Sequence, residues 1–384
     1  MSAAGRADVC VIGGGIIGLA AGCELAERGQ QVIVVEAVAT GQRAAAGVAA
    51  GMVAPVSEVD VSHPELTRLA LASHGEYPGW IARIESASGA STGFDRTGTL
   101  WVAVHRDHPA WLEHLRAFQV DRGLDTVRLT AAEVRALEPL LAPNTSGGLL
   151  ARDDWQVDPR RLLHALTRAL ARRGGRLIEH ASEGAIEQSD GGWTVVIRRD
   201  QEKERVEARS VVLAPGAFGA GLVEPLLPEA GLRPVKGQVV RLRGETVARH
   251  VIRTPEVYLV PRGDGEIVIG ATVEEMGFDE RVTAGAVHDL LREARRVLPG
   301  IAELELAETR AGFRPAFRDH LPAIGAIEEG LFIAAGHYRN GIGLAPVTAR
   351  LLADLICDSR ADPALAPFDP LRFARTAAPQ GASR

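Results

Sequence analysis

A run of glycines close to the start limits most strongly how this chain can fold. Ala7-Asp8-Val9-Cys10-Val11-Ile12 is short, apolar and β-branched, as a buried strand should be. Gly13-Gly14-Gly15 breaks it, and a helical pattern follows from Ile16 to Glu27. Gln31-Val32-Ile33-Val34-Val35 reads as a second strand ending on Glu36. Strand, glycine turn, helix and strand within about thirty residues make the βαβ unit of a dinucleotide-binding α/β sheet.

The glycines have separate jobs. Gly13 permits the tight turn, Gly15 lets the backbone approach a pyrophosphate, and Gly18 lets the helix pack close to its strand. The helix start offers free N–H groups and a positive dipole end to phosphate. Glu36 stands where a carboxylate accepts both ribose hydroxyls, which disfavours a 2′-phosphate and therefore NADP. On this motif alone FAD and NAD both remain open.

A length of 384 residues predicts two domains, with room for a third. The formal charge of −6 carries no basic footprint for nucleic acid. Cys10, Cys23 and Cys357 are far apart, so neither a disulfide framework nor a zinc site is expected, and each reads as a small buried thiol. Lys203 and Lys236 are the only lysines, which leaves carboxylate recognition to arginine, with its two-pronged fork. The apolar stretch Val9–Cys23 holds five glycines and is shorter than the ~20 residues of a spanning helix. A cytoplasmic protein with no membrane segment is expected.

Further along, 64–86 and 109–122 read as helices, and 99–104 as a strand. Asp158 should cap a helix running to Arg173, with Gly174 as its stop. Strands are expected at 176–178, 193–198 and 206–213, and an antiparallel set at 232–242, 257–261 and 266–271. Residues 283–298 form an amphipathic helix, 331–335 a buried strand and 346–357 the last long helix. From Asp358 a Pro/Ala-rich tail is expected to fray. There is no GxSxG elbow, and of the eleven histidines only His337, between glycine-rich segments, stands out from a solvated background. Arg310, Arg314 and Arg318 recur every four residues like one helix face, but Gly312, Pro315 and Pro322 argue against a helix there.

Several segments then occur in a telling order: Gly13-Gly14-Gly15-Ile16-Ile17-Gly18, Ala49-Ala50-Gly51-Met52, Pro234-Val235-Lys236-Gly237, Tyr258-Leu259-Val260-Pro261-Arg262, Gly270-Ala271-Thr272, Gly312-Phe313-Arg314-Pro315 and Gly336-His337-Tyr338-Arg339-Asn340-Gly341-Ile342. Together they resemble the glycine oxidases of thiamine biosynthesis, in the D-amino-acid oxidase superfamily. The resemblance implies an α/β fold: a Rossmann-like FAD-binding domain with a second, α+β substrate domain built on an antiparallel sheet. It implies residues 1–85, 146–220 and 306–360 for the FAD domain, 86–145 and 221–305 for the substrate domain, and 361–384 as a tail.

By the same resemblance Gly13, Gly15, Ile16, Ile17 and Gly18 hold the pyrophosphate, and Glu36 and Ala37 the adenosine ribose. Ala50, Gly51 and Met52 lie beside the isoalloxazine, Glu183 touches adenine through its backbone, and His337, Tyr338, Arg339, Asn340, Gly341 and Ile342 wrap the pyrimidine end. Arg314 pairs with the substrate carboxylate, helped by Tyr258 and Arg339. The implied reaction moves a hydride from an amino acid Cα to flavin N5, and O2 reoxidises the flavin. The main-chain N–H groups of 340–342 then offset the charge gained near flavin N1. No metal is implied. The FAD is non-covalent, since no cysteine lies near these segments. A homotetramer and a downstream thiazole synthase are implied partners.

Two positions depart from the pattern. Val273 stands where methionine can occur and would widen the pocket, and Glu256 stands where histidine can occur and would repel a second carboxylate. Small amines with one carboxylate are therefore expected: glycine, sarcosine and D-alanine. The alternatives are a D-amino-acid or sarcosine dehydrogenase passing electrons to a quinone or partner protein, and an NAD-binding sensor without turnover.

Overall fold

The computed structural model describes residues 2–59, 62–199 and 202–375. The β-branched segments near the start form the centre of an eight-stranded sheet. Its main path runs Ala323–Glu328, Leu331–Ala335, Glu202–Leu213, Ser2–Ile12, Val32–Val35, Arg176–Ile178. All neighbours along that path are parallel except the first pair, and a hairpin of Ser182–Ser189 and Gly192–Arg199 extends Glu202–Leu213 antiparallel. The strand Ser182–Ser189 is absent from the sequence expectation because polar and small residues fill it.

Both faces of the sheet's centre are covered, which is why residues 9–12, Val32–Val35 and residues 211–213 read as unbroken apolar runs. Val9 and Val11 pack among the helices Ile16–Glu27, Pro64–Ser88, Pro159–Arg172 and Gly341–Asp358, while Cys10 and Ile12 join a separate core on the other face. Asp158 caps its helix as expected, its carboxylate accepting the N–H groups of Arg160 and Arg161. Cys10 and Cys23 are buried, and burial pushes both thiols up to about 12, whereas Cys357 is only partly covered.

The second sheet also has eight strands, in the order Glu305–Ala316, Arg233–Arg243, Glu266–Gly270, Tyr258–Pro261, Val251–Arg253, Thr99–Val102, Gly147–Ala151, Val127–Thr130. Every join is antiparallel but one, Val251–Arg253 beside Thr99–Val102. Gly147–Ala151 and Glu305–Ala316 thus pair into this sheet, although the expected pieces 146–220 and 306–360 put them in the cofactor half. Composition cannot reveal a strand's partner. The pairing matters because Glu305–Ala316 carries Arg314.

Two expectations are corrected. The last long helix begins at Gly341, five residues before Pro346. Proline has no N–H for the turn below it. The Ile342 carbonyl that would have accepted it instead accepts the buried Tyr77 hydroxyl at 3.3 Å. The expected tail is packed as far as the structure describes it: Phe368 and Phe373 are buried, Phe373 lies 5.2 Å from Phe317, and Arg372 bonds Asp319 at 2.9 Å. Residues 376–384 of that tail lie outside the described residues. Among the described residues no helix is long and apolar enough to cross a membrane.

Candidate active site

The parallel strands Ser2–Ile12, Val32–Val35, Glu202–Leu213 and Leu331–Ala335 all end at one cleft, whose opposite wall is the second sheet. The carboxyl edge of such a sheet is where a ligand can reach loops and helix starts without disturbing the core.

At this edge Gly13 adopts φ +110°, and a Cβ there would fall 2.1 Å from the Ala214 carbonyl oxygen. A Cβ on Gly18 would stand 1.9 Å from the Gly13 oxygen. Gly15 is different: its φ is an ordinary −75°, and a Cβ would meet nothing within 4 Å. The protein itself does not need glycine at 15, so the space in front of it is room for a ligand. Gly15 also starts the helix Ile16–Glu27 with no side-chain cap, which leaves first-turn N–H groups for an anion. Glu36 Oε2 accepts the Gly14 N–H at 2.6 Å and Oε1 the Val38 N–H at 3.3 Å. Each oxygen keeps a further lone pair for a hydroxyl. A second helix, Gly341–Asp358, also starts uncapped at this cleft, and Gly341 lies against Ile16. A dinucleotide diphosphate fits this cradle.

The next wall is the turn at Ala50-Gly51-Met52. Gly51 has φ +84°, with its Cβ position 2.0 Å from the Val157 oxygen, and its carbonyl accepts the Val157 N–H at 2.9 Å. Arg262, buried behind it, donates to the Ala50 carbonyl and to Gln156 Oε1, the latter at 2.7 Å. Burial pulls this guanidinium down to about 10. The sequence offered the Tyr258–Arg262 segment but no task for its arginine, which is to hold this wall.

On the second sheet Arg314 pairs across the strands with Val235, and its Nη1 donates to the carbonyls of Thr272 at 3.1 Å and Lys236 at 3.3 Å. Tyr258 faces Gly270 across its hairpin, and a Cβ on Gly270 would stand 2.4 Å from the phenol oxygen. Burial above all raises the Tyr258 hydroxyl above its usual range, against the pull of Arg314, so it stays a proton donor. Tyr338 N–H donates to the Pro315 carbonyl at 2.8 Å, which ties the loop 336–341 to the strand one residue beyond Arg314.

Arg339 does not stand free. Its Nη2 donates to both oxygens of Glu58, at 3.1 and 3.2 Å, and Arg253 donates to the same carboxylate. Burial alone would raise the Glu58 carboxyl, but Arg253, Arg339 and Arg314 outweigh it and hold the group down at about 2. Glu58 sits at the end of a turn fixed by buried Asp154, which accepts the N–H groups of Val56 at 3.1 Å and Ser57 at 3.2 Å. Arg253 lies 4.5 Å from the Trp101 ring centre. Glu58 and Arg253 escaped the sequence analysis: each is a single charged residue in an unremarkable segment, and nothing local signals that the fold joins them.

His337 is buried with Nε2 3.1 Å from Thr348 Oγ1, and burial pulls it down to about 3, so it is neutral. Lys236, also fully buried, is paired with Asp279 at 3.3 Å. Glu256 lines the rim of the cleft, 3.2 Å from His108 Nε2, while His108 Nδ1 accepts the Val104 N–H. His108 is thus a second buried histidine, which the expectation of a solvated background missed.

Of the expected residues, Gly13, Gly15, Ile16, Ile17, Glu36, Ala37, Ala50, Gly51, Met52, Tyr258, Arg314 and 337–342 all line the one cleft. Gly18 is packed against Gly13, one turn inside the helix, and serves the packing. Glu183 pairs with Ile197 in the hairpin, and its side chain lies outside the described residues.

A family model described as "DAO: FAD dependent oxidoreductase" matches residues 8–355. A glycine oxidase of Geobacillus kaustophilus is 34% identical over 368 residues, covering 94% of this chain and 96% of that protein. The crystal structure of glycine oxidase from that organism superposes with a TM-score of 0.87, covering 96% of this chain and 99% of that one. The "Bifunctional protein ThiO/ThiG" of Synechocystis sp. is 34% identical over 97% of this chain, which spans only 55% of that longer protein. An iminodiacetate oxidase (IdaA) from Chelativorans sp. BNC1 has a TM-score of 0.84 at 26% identity, covering 94% of this chain and 98% of that one.

Proposed function

The chain belongs to the DAO family of FAD-dependent oxidoreductases, and from that premise we propose that it oxidises small amines bearing one carboxylate: glycine, sarcosine and D-alanine. For glycine the balance is glycine, O2 and water to glyoxylate, ammonia and H2O2. The observation that carries the reading is Arg314, standing with Tyr258 in the same cleft as the dinucleotide cradle.

FAD, when bound, supplies the acceptor for the hydride leaving Cα. Ile16, Ile17 and Gly341 would present helix-start N–H groups to it, Glu36 would take its ribose, and the 50–52 turn would flank its ring. Arg314 grips the substrate carboxylate through its fork, and the Tyr258 hydroxyl adds a donor. Fixing the carboxylate orients Cα, which is the larger part of what the protein contributes. His337, neutral and held against Thr348, is not set to take a proton, and none is required of it if the amine arrives uncharged. The likeness to the bifunctional ThiO/ThiG protein supports a place in thiamine thiazole formation, with a thiazole synthase downstream.

Anaerobic mixing of the purified holoenzyme with glycine, sarcosine and D-alanine tests this. Bleaching of the flavin band is expected, together with loss of about 2–5 kcal/mol of transition-state binding in Arg314→Ala. No bleaching with any of the three, or an Arg314→Ala enzyme of unchanged kcat/KM, overturns the reading. One observation favours a different acceptor, a quinone. Phe218 and Phe278, 40% and 47% exposed, stack at 4.8 Å, and Phe218 lines the cleft. Peroxide yield in air against quinone reduction under argon separates the two acceptors.

A further inference from the structure

We propose that Glu58 is a specificity-determining residue: its carboxylate occupies, from inside the protein, the place that a second substrate carboxylate would take, and so restricts the enzyme to monocarboxylates. The inference rests on the reading of Arg314 as the substrate anchor.

Four guanidinium groups line the cleft: Arg43, which lies over the Phe218 ring, and Arg253, Arg314 and Arg339, whose charges all act on Glu58. Each can receive a carboxylate. Glu58 already serves two of them, Arg339 through both oxygens and Arg253 through Oε1. The contacts of Arg314 are of another kind, to the main-chain carbonyls of Thr272 and Lys236. Of the three arginines that act on Glu58, Arg314 alone is left without a carboxylate among the described residues, and its fork matches a substrate with one.

The internal carboxylate is also held in place. Asp154 fixes the turn that carries Glu58, and Trp101 Nε1 donates to Ser57 Oγ at 3.0 Å, beside Glu58 in the chain. Arg253 is only 8% exposed and lies over the Trp101 ring. A dicarboxylate would have to displace Glu58 from Arg339 or hold its second charge next to Glu58, with Glu256 adding repulsion at the rim. Discrimination of this sort comes from a repulsive element as much as from an attractive one. Taking the charge off Glu58 reverses the situation, since Arg253 and Arg339 become a ready-made second carboxylate site.

The test compares glycine with iminodiacetate, which is glycine carrying a second carboxymethyl group on nitrogen and the same reacting CH2. Wild-type holoenzyme should prefer glycine, and Glu58→Gln should shift the kcat/KM ratio toward iminodiacetate by at least about tenfold, mainly through KM, because a charge repulsion has become an attraction. Glu58→Asp, which keeps the charge, should keep the wild-type preference. Binding of the unreactive acids malonate and acetate, followed by perturbation of the oxidised flavin spectrum, should shift in the same direction. Wild type using both substrates equally, or Glu58→Gln losing both activities in proportion, overturns the proposal. If Glu58→Gln does not retain flavin, wild type decides: malonate bound as tightly as acetate overturns it and weaker malonate upholds it. If wild type oxidises neither substrate, the functional reading fails, while the malonate and acetate titrations still judge Glu58.

Discussion

Gly237 lies against the guanidinium of Arg314: a Cβ at 237 would stand 2.6 Å from both terminal nitrogens of the arginine. The two residues are on adjacent strands of the second sheet, where Val235, not Gly237, is the cross-strand partner of Arg314. The arginine side chain therefore runs diagonally over the strand, and glycine leaves the space it crosses.

Gly237→Ala should consequently damage substrate binding more than folding. The methyl group meets the mobile end of a side chain rather than backbone, so the arginine moves aside at modest cost. A misplacement of about 1 Å at a positioning group can cost about a hundredfold in rate. Steady-state kinetics with glycine should show KM raised by at least about tenfold, with flavin content unchanged. An unaltered KM would mean that the guanidinium does not hold the carboxylate in this position.

Gly15→Ala and Gly18→Ala should separate cofactor binding from stability. Alanine at 15 meets no protein atom, so the apoprotein should unfold at the same temperature by circular dichroism while the purified protein loses its flavin absorbance. Alanine at 18 collides with the Gly13 carbonyl, so the fold itself should weaken, by about 1–3 kcal/mol as for other overpacked sites.

The Glu58 carboxyl should leave a mark on acid stability. Its pKa is depressed from an ordinary value near 4.5 to about 2 by Arg253 and Arg339, which overcome the opposing effect of burial. A group depressed in the folded state stabilises above its unfolded pKa, and that stabilisation fades as pH falls through the folded one. Between about pH 4.5 and pH 2, wild type should therefore lose more unfolding free energy than Glu58→Gln, as urea titrations at several pH values would show. Parallel curves would mean that the carboxyl is not so perturbed.

Tyr77 and Pro346 should be energetically coupled. Tyr77→Phe strands the Ile342 carbonyl, at a cost of about 1–3 kcal/mol for a buried acceptor left unpaired. Pro346→Ala restores an N–H to the helix and should reduce that cost. A double-mutant cycle by denaturant unfolding measures the difference, and strict additivity would refute the coupling.

The elements legible in the sequence were those whose signal is local. The strand, glycine turn and helix at 7–27 declare themselves by residue type at adjacent positions, and Asp158 by its place just before a helix. The last helix was misjudged because Pro346 reads locally as a helix start, while the Ile342 carbonyl it leaves without an N–H is met by the hydroxyl of Tyr77, 265 positions from Ile342. The packed 361–375 segment was misjudged in the same way, since its anchors, Phe317 and Asp319, are remote.

The site divides along the same line. By itself the sequence determined a dinucleotide cradle, because backbone conformation and helix polarity follow from glycine and its immediate neighbours. Its longer motifs pointed by resemblance to Arg314 and Tyr258. Only the tertiary structure decided which charges meet: Glu58 finds Arg253 195 positions away and Arg339 281 positions away. Coulomb attraction depends on distance in space, and chain separation carries no record of it until the two sheets close on one cleft.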